Sequence, residues 1–429
     1  VVSLLPDGTA PSEEAIYLGA SGEGEAIAFK IDAALYLRVA NEKTYAIGTP
    51  GATFAGVSDR GERVFYLEDG DLKAFDTATE EVTTFADSAG PVIPVNIAPR
   101  GGRAYFVSKT AIPGSGPNPN GDSPVSGAQN LYLSEGEGAP DFIATLTERD
   151  VEGDESGEDG DGLGFWTSSL QEKRPSKDPS RLTPDGSVLV FQSRANLDGY
   201  QPGAEPQVYR YDQLAESLVC ISCPPTRTPA TGGAVLQSVR YADGQEGPLG
   251  LYGFVPALRA DGKRLFFEST EALRSSDIDG LRDVYEWEAE GVGSCRREGG
   301  CVYLISSGRS GHPDFLYSHS TSGDDVFLQT SDVLLSGDQE TASIYDARVG
   351  GGFASPEPAI CAEESCKPGL TPPPALPAAQ SGVQGSSGNV ENVKRCPRGK
   401  RKVKRRGRVV CVKKHRKHGN TGAKKGARR

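Results

Sequence analysis

The 429-residue chain contains no methionine, only two tryptophans and only four histidines. Nowhere does an apolar run approach the roughly 18 residues that a membrane helix requires, so no helical span is expected. Histidine is the most common general base. With His415 and His418 in a basic tail, only His312 and His319 remain, on either side of one short apolar segment. Gly-x-Ser-x-Gly elbows and His-Glu-x-x-His pairs are also missing, which removes two well-defined hydrolytic chemistries. A chain that starts at Val1 and lacks methionine is expected to be a processed or excised part of a longer product.

What is present is a repeat. Turns rich in Gly and Asp lead into apolar, aromatic-tipped segments: Ser58-Asp59-Arg60-Gly61 into Val64-Phe65-Tyr66, Pro99-Arg100-Gly101-Gly102 into Ala104-Tyr105-Phe106, and Thr183-Pro184-Asp185-Gly186 into Leu189-Val190-Phe191. Ala260-Asp261-Gly262 and Ser322-Gly323-Asp324 introduce two more. A third segment follows in each unit, tyrosine-bearing in five of the six (Tyr36, Tyr132, Tyr209, Tyr285 and Tyr345) and Leu72-Lys73-Ala74-Phe75 in the second, and these tyrosines are expected in the cores. With 54 Gly, 30 Pro and 36% hydrophobic residues, many short strands are expected rather than helices. Strand-rich units repeating over tens of residues predict a β-propeller. The expected fold is all-β, with six blades of four antiparallel strands over residues 1–350. Six repeats but only five fourth strands can be read, and Val1–Leu5 is expected to supply the missing outer strand of the last blade.

From Lys394 to Arg429 the chain has 18 Lys/Arg and no Asp/Glu, so the other 393 residues carry 28 basic against 58 acidic side chains. An acidic body and a basic tail are separate objects, joined by a Pro/Gly/Ser-rich linker over 351–393. Asp150–Gly162 holds seven carboxylates among glycines, read as a solvated acidic loop. The eight cysteines form four close pairs: Cys220/Cys223, Cys295/Cys301, Cys361/Cys366 and Cys396/Cys411. Local disulfides are expected, because a Cys-x-x-Cys redox site would sit beside a βαβ unit and zinc would need a second pair nearby. Disulfides place the chain in an oxidising compartment, secreted or at the cell surface.

The turns Thr183-Pro184-Asp185-Gly186 and Ala260-Asp261-Gly262-Lys263 resemble the Ser-Pro-Asp-Gly-Lys signature of secreted bacterial propellers with WD40-like, TolB-type repeats. The stretches Asp283-Val284-Tyr285-Glu286-Trp287-Glu288 and Cys301–Gly308, with the Pro-rich segment and Cys-flanked basic tail, resemble uncharacterised exported propellers of high-GC Gram-positive bacteria. The resemblance implies the fold and carries no reaction. Ser21-Gly22-Glu23-Gly24 and Ser320-Thr321-Ser322-Gly323 depart from the Asp-Gly signature, which leaves the blade count open between five and seven.

Asp277, Asp279 and Asp283 alternate around Gly280, either as oxygen ligands for calcium or as an Asp/Gly turn between two strands. Ser275 stands where a DxDxDG loop would have its first acid. No other cofactor is expected. Lys400, Arg401, Lys402, Lys404, Arg405, Arg406, Lys413, Lys414, Arg416 and Lys417 are expected to attract anionic cell-wall polymers or lipid head groups. Nucleic acid is disfavoured, since the tail has no aromatic side chain to stack bases. The expected function is a non-catalytic extracellular scaffold binding a protein or glycan at the channel mouth. The competing class is a hydrolase of polysaccharide or peptide using channel carboxylates.

Overall fold

In the computed structural model the described residues are 2–87, 90–151, 179–199, 203, 205–224, 226, 228–237, 255–335, 338, 342–352, 400–405 and 408–413. Six antiparallel sheets follow one another along the chain. Blade one is β1 (Ala15–Ala20), β2 (Ala26–Ile31), β3 (Ala34–Val39) and β4 (Lys43–Ile47). Blade two is β5 (Thr53–Val57), β6 (Arg63–Glu68), β7 (Asp71–Asp76) and β8 (Val82–Ala86). Blade three is β9 (Val92–Ile97), β10 (Ala104–Ser108), β11 (Gln129–Ser134) and β12 (Asp141–Leu146), closed by the single turn α1 (Glu148–Val151). Blade four is β13 (Ser180–Leu182), β14 (Val188–Ser193), β15 (Gln207–Asp212) and β16 (Ser217–Cys220). Blade five is β17 (Ala234–Val235), β18 (Arg264–Ser269), β19 (Asp283–Glu288) and β20 (Cys301–Leu304). Blade six has three strands, β21 (Phe315–His319), β22 (Asp325–Thr330) and β23 (Ser343–Arg348). The fold is a six-bladed β-propeller.

The second and third strands of blades three to five are buried along nearly their whole length. Alternate residues of one strand therefore serve opposite neighbours. Tyr105 and Val107 pack with Leu189 and Phe191 of blade four, while Ala104 and Phe106 pack with Phe65 and Phe85 of blade two. This double burial explains why these segments read as continuous apolar runs. Within blades, Phe29–Tyr36, Phe106–Tyr132, Phe191–Tyr209 and Phe267–Tyr285 stack with centroids 5.4, 5.5, 5.8 and 5.8 Å apart. Each pair sits directly opposite in the register of the second and third strands. The tyrosine hydroxyls pin the loop between those strands: Tyr132 donates to the Thr110 carbonyl and Tyr209 to the Ala195 carbonyl, both at 2.8 Å.

All six turns before the second strands share one geometry. The fourth residue is a glycine with φ between +69° and +75°: Gly24, Gly61, Gly101, Gly186, Gly262 and Gly323. Its N–H donates to the carbonyl three residues back in every case. Blades one and six thus keep the turn without Asp, because the left-handed glycine rather than the acid is what the geometry demands. The turns also dock on their neighbours. Arg63 donates to the Gly101 carbonyl (3.1 Å), Arg103 to Asp185 (2.8 Å), Arg210 to Gly262 (3.1 Å) and Arg264 to Gly323 (2.8 Å).

One expectation is corrected. Residues 2–5 form no strand, and blade six keeps three strands among the described residues. Instead the Leu4 carbonyl accepts the Thr44 hydroxyl of β4 at 2.8 Å. The Thr44 hydroxyl also accepts from Arg38 at 2.9 Å, so it is satisfied both as donor and as acceptor. A turn closed by Gly8 to the Leu5 carbonyl then directs the chain away.

A Cβ at Gly61 would lie 2.3 Å from that of Ala26, whereas one at Gly24 meets nothing within 4 Å. Gly24→Ala should therefore cost about 1 kcal/mol for its φ alone. Gly61→Ala should cost about 3 kcal/mol, because overpacking adds to the same strain. Urea denaturation of the two variants checks this, and equal losses would contradict the docking of the turn.

Candidate functional site

Two places in the propeller gather unusual chemistry. The first lies where the loop between β18 and β19 meets the segment leading from β20 into β21. Asp277, Asp279 and Asp283 each bring one carboxylate oxygen within 4.8 Å of the others, so the structure does assemble the three acids singled out by sequence. One oxygen of each is held. Asp277 accepts the Tyr285 hydroxyl, Asp279 the Leu281 N–H (2.8 Å), and Asp283 both the Ser306 hydroxyl (2.5 Å) and the Gly308 N–H (3.1 Å). The other oxygen of each is buried with no hydrogen-bond partner.

Burial also pushes the Asp277 carboxyl upward and moves Asp283 up to about 6. Asp314, just before β21, is fully buried and its carboxyl is pushed to about 7, again by burial. Neither of its oxygens makes a well-formed hydrogen bond, although the Thr330 hydroxyl nearby favours the charged form. Its strongest like-charge neighbour is Asp283, followed by Asp332 and Asp279. Sequence reading missed Asp314, Ser306 and Gly308. The available signal was an acid set directly against the apolar pair Phe315-Leu316, where burial is expected.

The second place is a cavity of about 270 Å³ on the turn side of blades four to six. Its walls are Leu182, Pro184, Pro256, Leu258 and Ala260, with Arg181, His319 and Thr321. Arg181 is built into the wall, donating to the Val255 carbonyl (2.7 Å), the Ser180 carbonyl (2.7 Å) and Gln237 Oε1 (3.1 Å). His319 Nδ1 lies 2.7 Å from the Ser320 carbonyl, and the ring packs 4.9 Å from Phe266. A second recess, of about 450 Å³, sits on the rim between blades two and three, lined in part by Asp71, Asp87, Phe85 and Ile112.

Cys220–Cys223 and Cys295–Cys301 are disulfides, each with Cα atoms 5.6 Å apart. Cys411 is also disulfide-bonded, while Cys361, Cys366 and Cys396 lie outside the described residues. The C-terminal unit, 372–429, contains a hairpin of β24 (Lys400–Arg405) and β25 (Arg408–Lys413). It carries Lys400, Arg401, Lys402, Lys404, Arg405 and Lys413; Arg406, Lys414, Arg416 and Lys417 fall outside the described residues. Lys400 faces Lys413 across the register.

No protein-family model matches the chain, and no curated protein matches it. Among solved structures it is similar to a putative TolB from Agrobacterium tumefaciens, with 14% identity over 73% of this chain and 88% of that one, TM-score 0.31. It is also similar to the β-propeller domain of the Trilobed protease from Pyrococcus furiosus, at 10% identity over 77% and 80%, TM-score 0.34. The tricorn protease matches at 11% identity and TM-score 0.38, over 80% of this chain. The chain spans about a third of that protein's length. These neighbours are TolB-type and peptidase-associated propellers, and at such identities they concern the fold alone.

Peptide mapping without reduction should recover Cys220 joined to Cys223 and Cys295 joined to Cys301, with both links lost on reduction. Free thiols at these positions in native protein would contradict the pairing and the oxidising compartment with it.

Proposed function

We propose that this chain is an extracellular, non-catalytic binding propeller. It would take a segment of a protein or glycan ligand at the turn-side cavity, while its basic C-terminal segment associates with anionic polymers or lipid head groups of a cell envelope. The supporting observation is the cavity wall. Leu182, Pro184, Pro256, Leu258 and Ala260 make a stiff apolar surface contributed by separate blades, and a preformed apolar recess with a few polar groups is what small ligand segments occupy. Arg181 is tied to backbone and Gln237, so it shapes the recess rather than competing for it. The two disulfides support an oxidising compartment. The 18 Lys/Arg after Val393 support polyanion attraction by counterion release.

A hydrolase reading draws on the raised carboxyls of Asp283 and Asp314, since perturbed acids cluster at catalytic sites. Both side chains are almost wholly buried, at 1% and 0% exposure. A polymer chain has no approach to them in this conformation, whereas a small ion fits such enclosure.

A glycan array and a peptide library probed with the full chain test the binding reading. Thr321→Arg, at the exposed rim of the cavity, should weaken any captured ligand at least tenfold without changing the melting temperature. Unchanged capture by Thr321→Arg would move the site elsewhere, and release of cleaved product would replace the reading with hydrolysis. Raising salt from 50 to 200 mM should weaken association with anionic vesicles by about tenfold or more. A salt-indifferent interaction would remove the tail from the account.

A further inference from the structure

The described residues contain one group of three His, Cys, Asp or Glu side chains close enough to share an ion. It is not an ordinary surface patch. Asp277 and Asp283 are 5% and 1% exposed. Each of the three acids has one oxygen fixed by a donor and the other without a partner. Carboxylates fixed in this way are oriented before any ligand arrives, which is the arrangement that ligating carboxylates need.

An independent observation comes from another element. Asp314, in the segment entering blade six, is 0% exposed and has no well-formed hydrogen bond to either oxygen. Its own N–H donates to the Arg282 carbonyl at 2.8 Å, placing it beside Asp283. The Arg282 guanidinium lies 3.8 Å from the buried Glu268. Glu268 is also committed to the Leu316 N–H at 2.9 Å. Leaving several buried carboxylates together without a cation is costly.

We propose that Asp277, Asp279 and Asp283 form a calcium site that fastens the loop between β18 and β19 against the segment entering blade six, with the buried Asp314 adding negative charge beside it. The donor set is all oxygen, as hard cations require, and comes from an irregular loop that can adjust to six to eight ligands at 2.3–2.6 Å. Magnesium demands a tighter octahedron and keeps its waters, so the site should favour calcium. Gly308 is part of the device. A Cβ there would come within 2.7 Å of the Asp277 Cα, and the Gly308 carbonyl accepts the Ile278 N–H at 2.9 Å. The loop and the blade-six entry thus approach to backbone contact, and an ion held by the three carboxylates would fix the loop in that approach. This reading does not depend on ligand binding at the turn-side cavity.

The full chain, stripped with chelator and dialysed, gives the test. Calcium should raise the melting temperature by several degrees. Terbium should show luminescence when tyrosine is excited, since Tyr285 donates to Asp277, and calcium should displace it. Asp279→Asn, at the least buried of the acids, should keep the stripped protein's melting temperature yet lose at least tenfold in calcium affinity and most of the terbium signal. Asp314→Asn, which removes a neighbouring charge but no ligand, should lower calcium affinity by less than Asp279→Asn does. No calcium-induced shift, or terbium emission identical in wild type and Asp279→Asn, overturns the site. A stronger response to magnesium than to calcium overturns the choice of ion.

Discussion

The carbonyl oxygens of the left-handed turns set how neighbouring blades meet. Four of them, at Gly101, Asp185, Gly262 and Gly323, receive a guanidinium from the preceding blade. Hydrogen bonds from charged donors contribute roughly 1.5–3 kcal/mol each, and here each also fixes an angle between sheets. The glycine supplies both the positive φ that turns the carbonyl outward and the missing Cβ that lets it approach. Where the second strand of blade four begins with Val188 instead of arginine, Arg210 on the third strand takes over the bridge. The constraint is on geometry, and the sequence satisfies it from whichever strand can reach.

From that docking the rest of the interior follows. Second and third strands bury both faces, so side chains alternate between the cluster shared with the blade before and the one shared with the blade after. Stacked Phe–Tyr pairs fill the space within blades, and the tyrosine hydroxyl reaches past the sheet to hold the next loop. In blade five that same hydroxyl bonds Asp277, so the motif that secures a loop elsewhere here also orients an acid.

Much of this was legible in the sequence because apolar runs and Gly turns are local signals. The strands around Phe65, Phe106, Phe191 and Phe267, the tyrosine register and the blade order could all be read from residues a few positions apart. The grouping of Asp277, Asp279 and Asp283 was legible for the same reason. Asp314 was not, because its neighbours belong to a loop some thirty residues earlier and only the folded interface between blades brings them near. The turn-side cavity has the same origin, as its walls come from separated stretches around Leu182, Leu258 and His319. The opening segment misled for a different reason. Val1–Leu5 has strand composition, yet residues 2–5 form no strand, and the Leu4 carbonyl accepts the Thr44 hydroxyl on blade one.

The four apolar clusters join blade one to two, two to three, three to four, and four through six. Among the described residues none joins six to one. Among the described residues, apolar cohesion is then passed from neighbour to neighbour in series, as in a linear repeat array. Ile16 and Tyr17 on β1, and Ile344 on β23, are more than half exposed or at half exposure. Loss of structure in such an array starts from its extremities, so backbone amides of blades one and six exchange with solvent ahead of those in blades three to five.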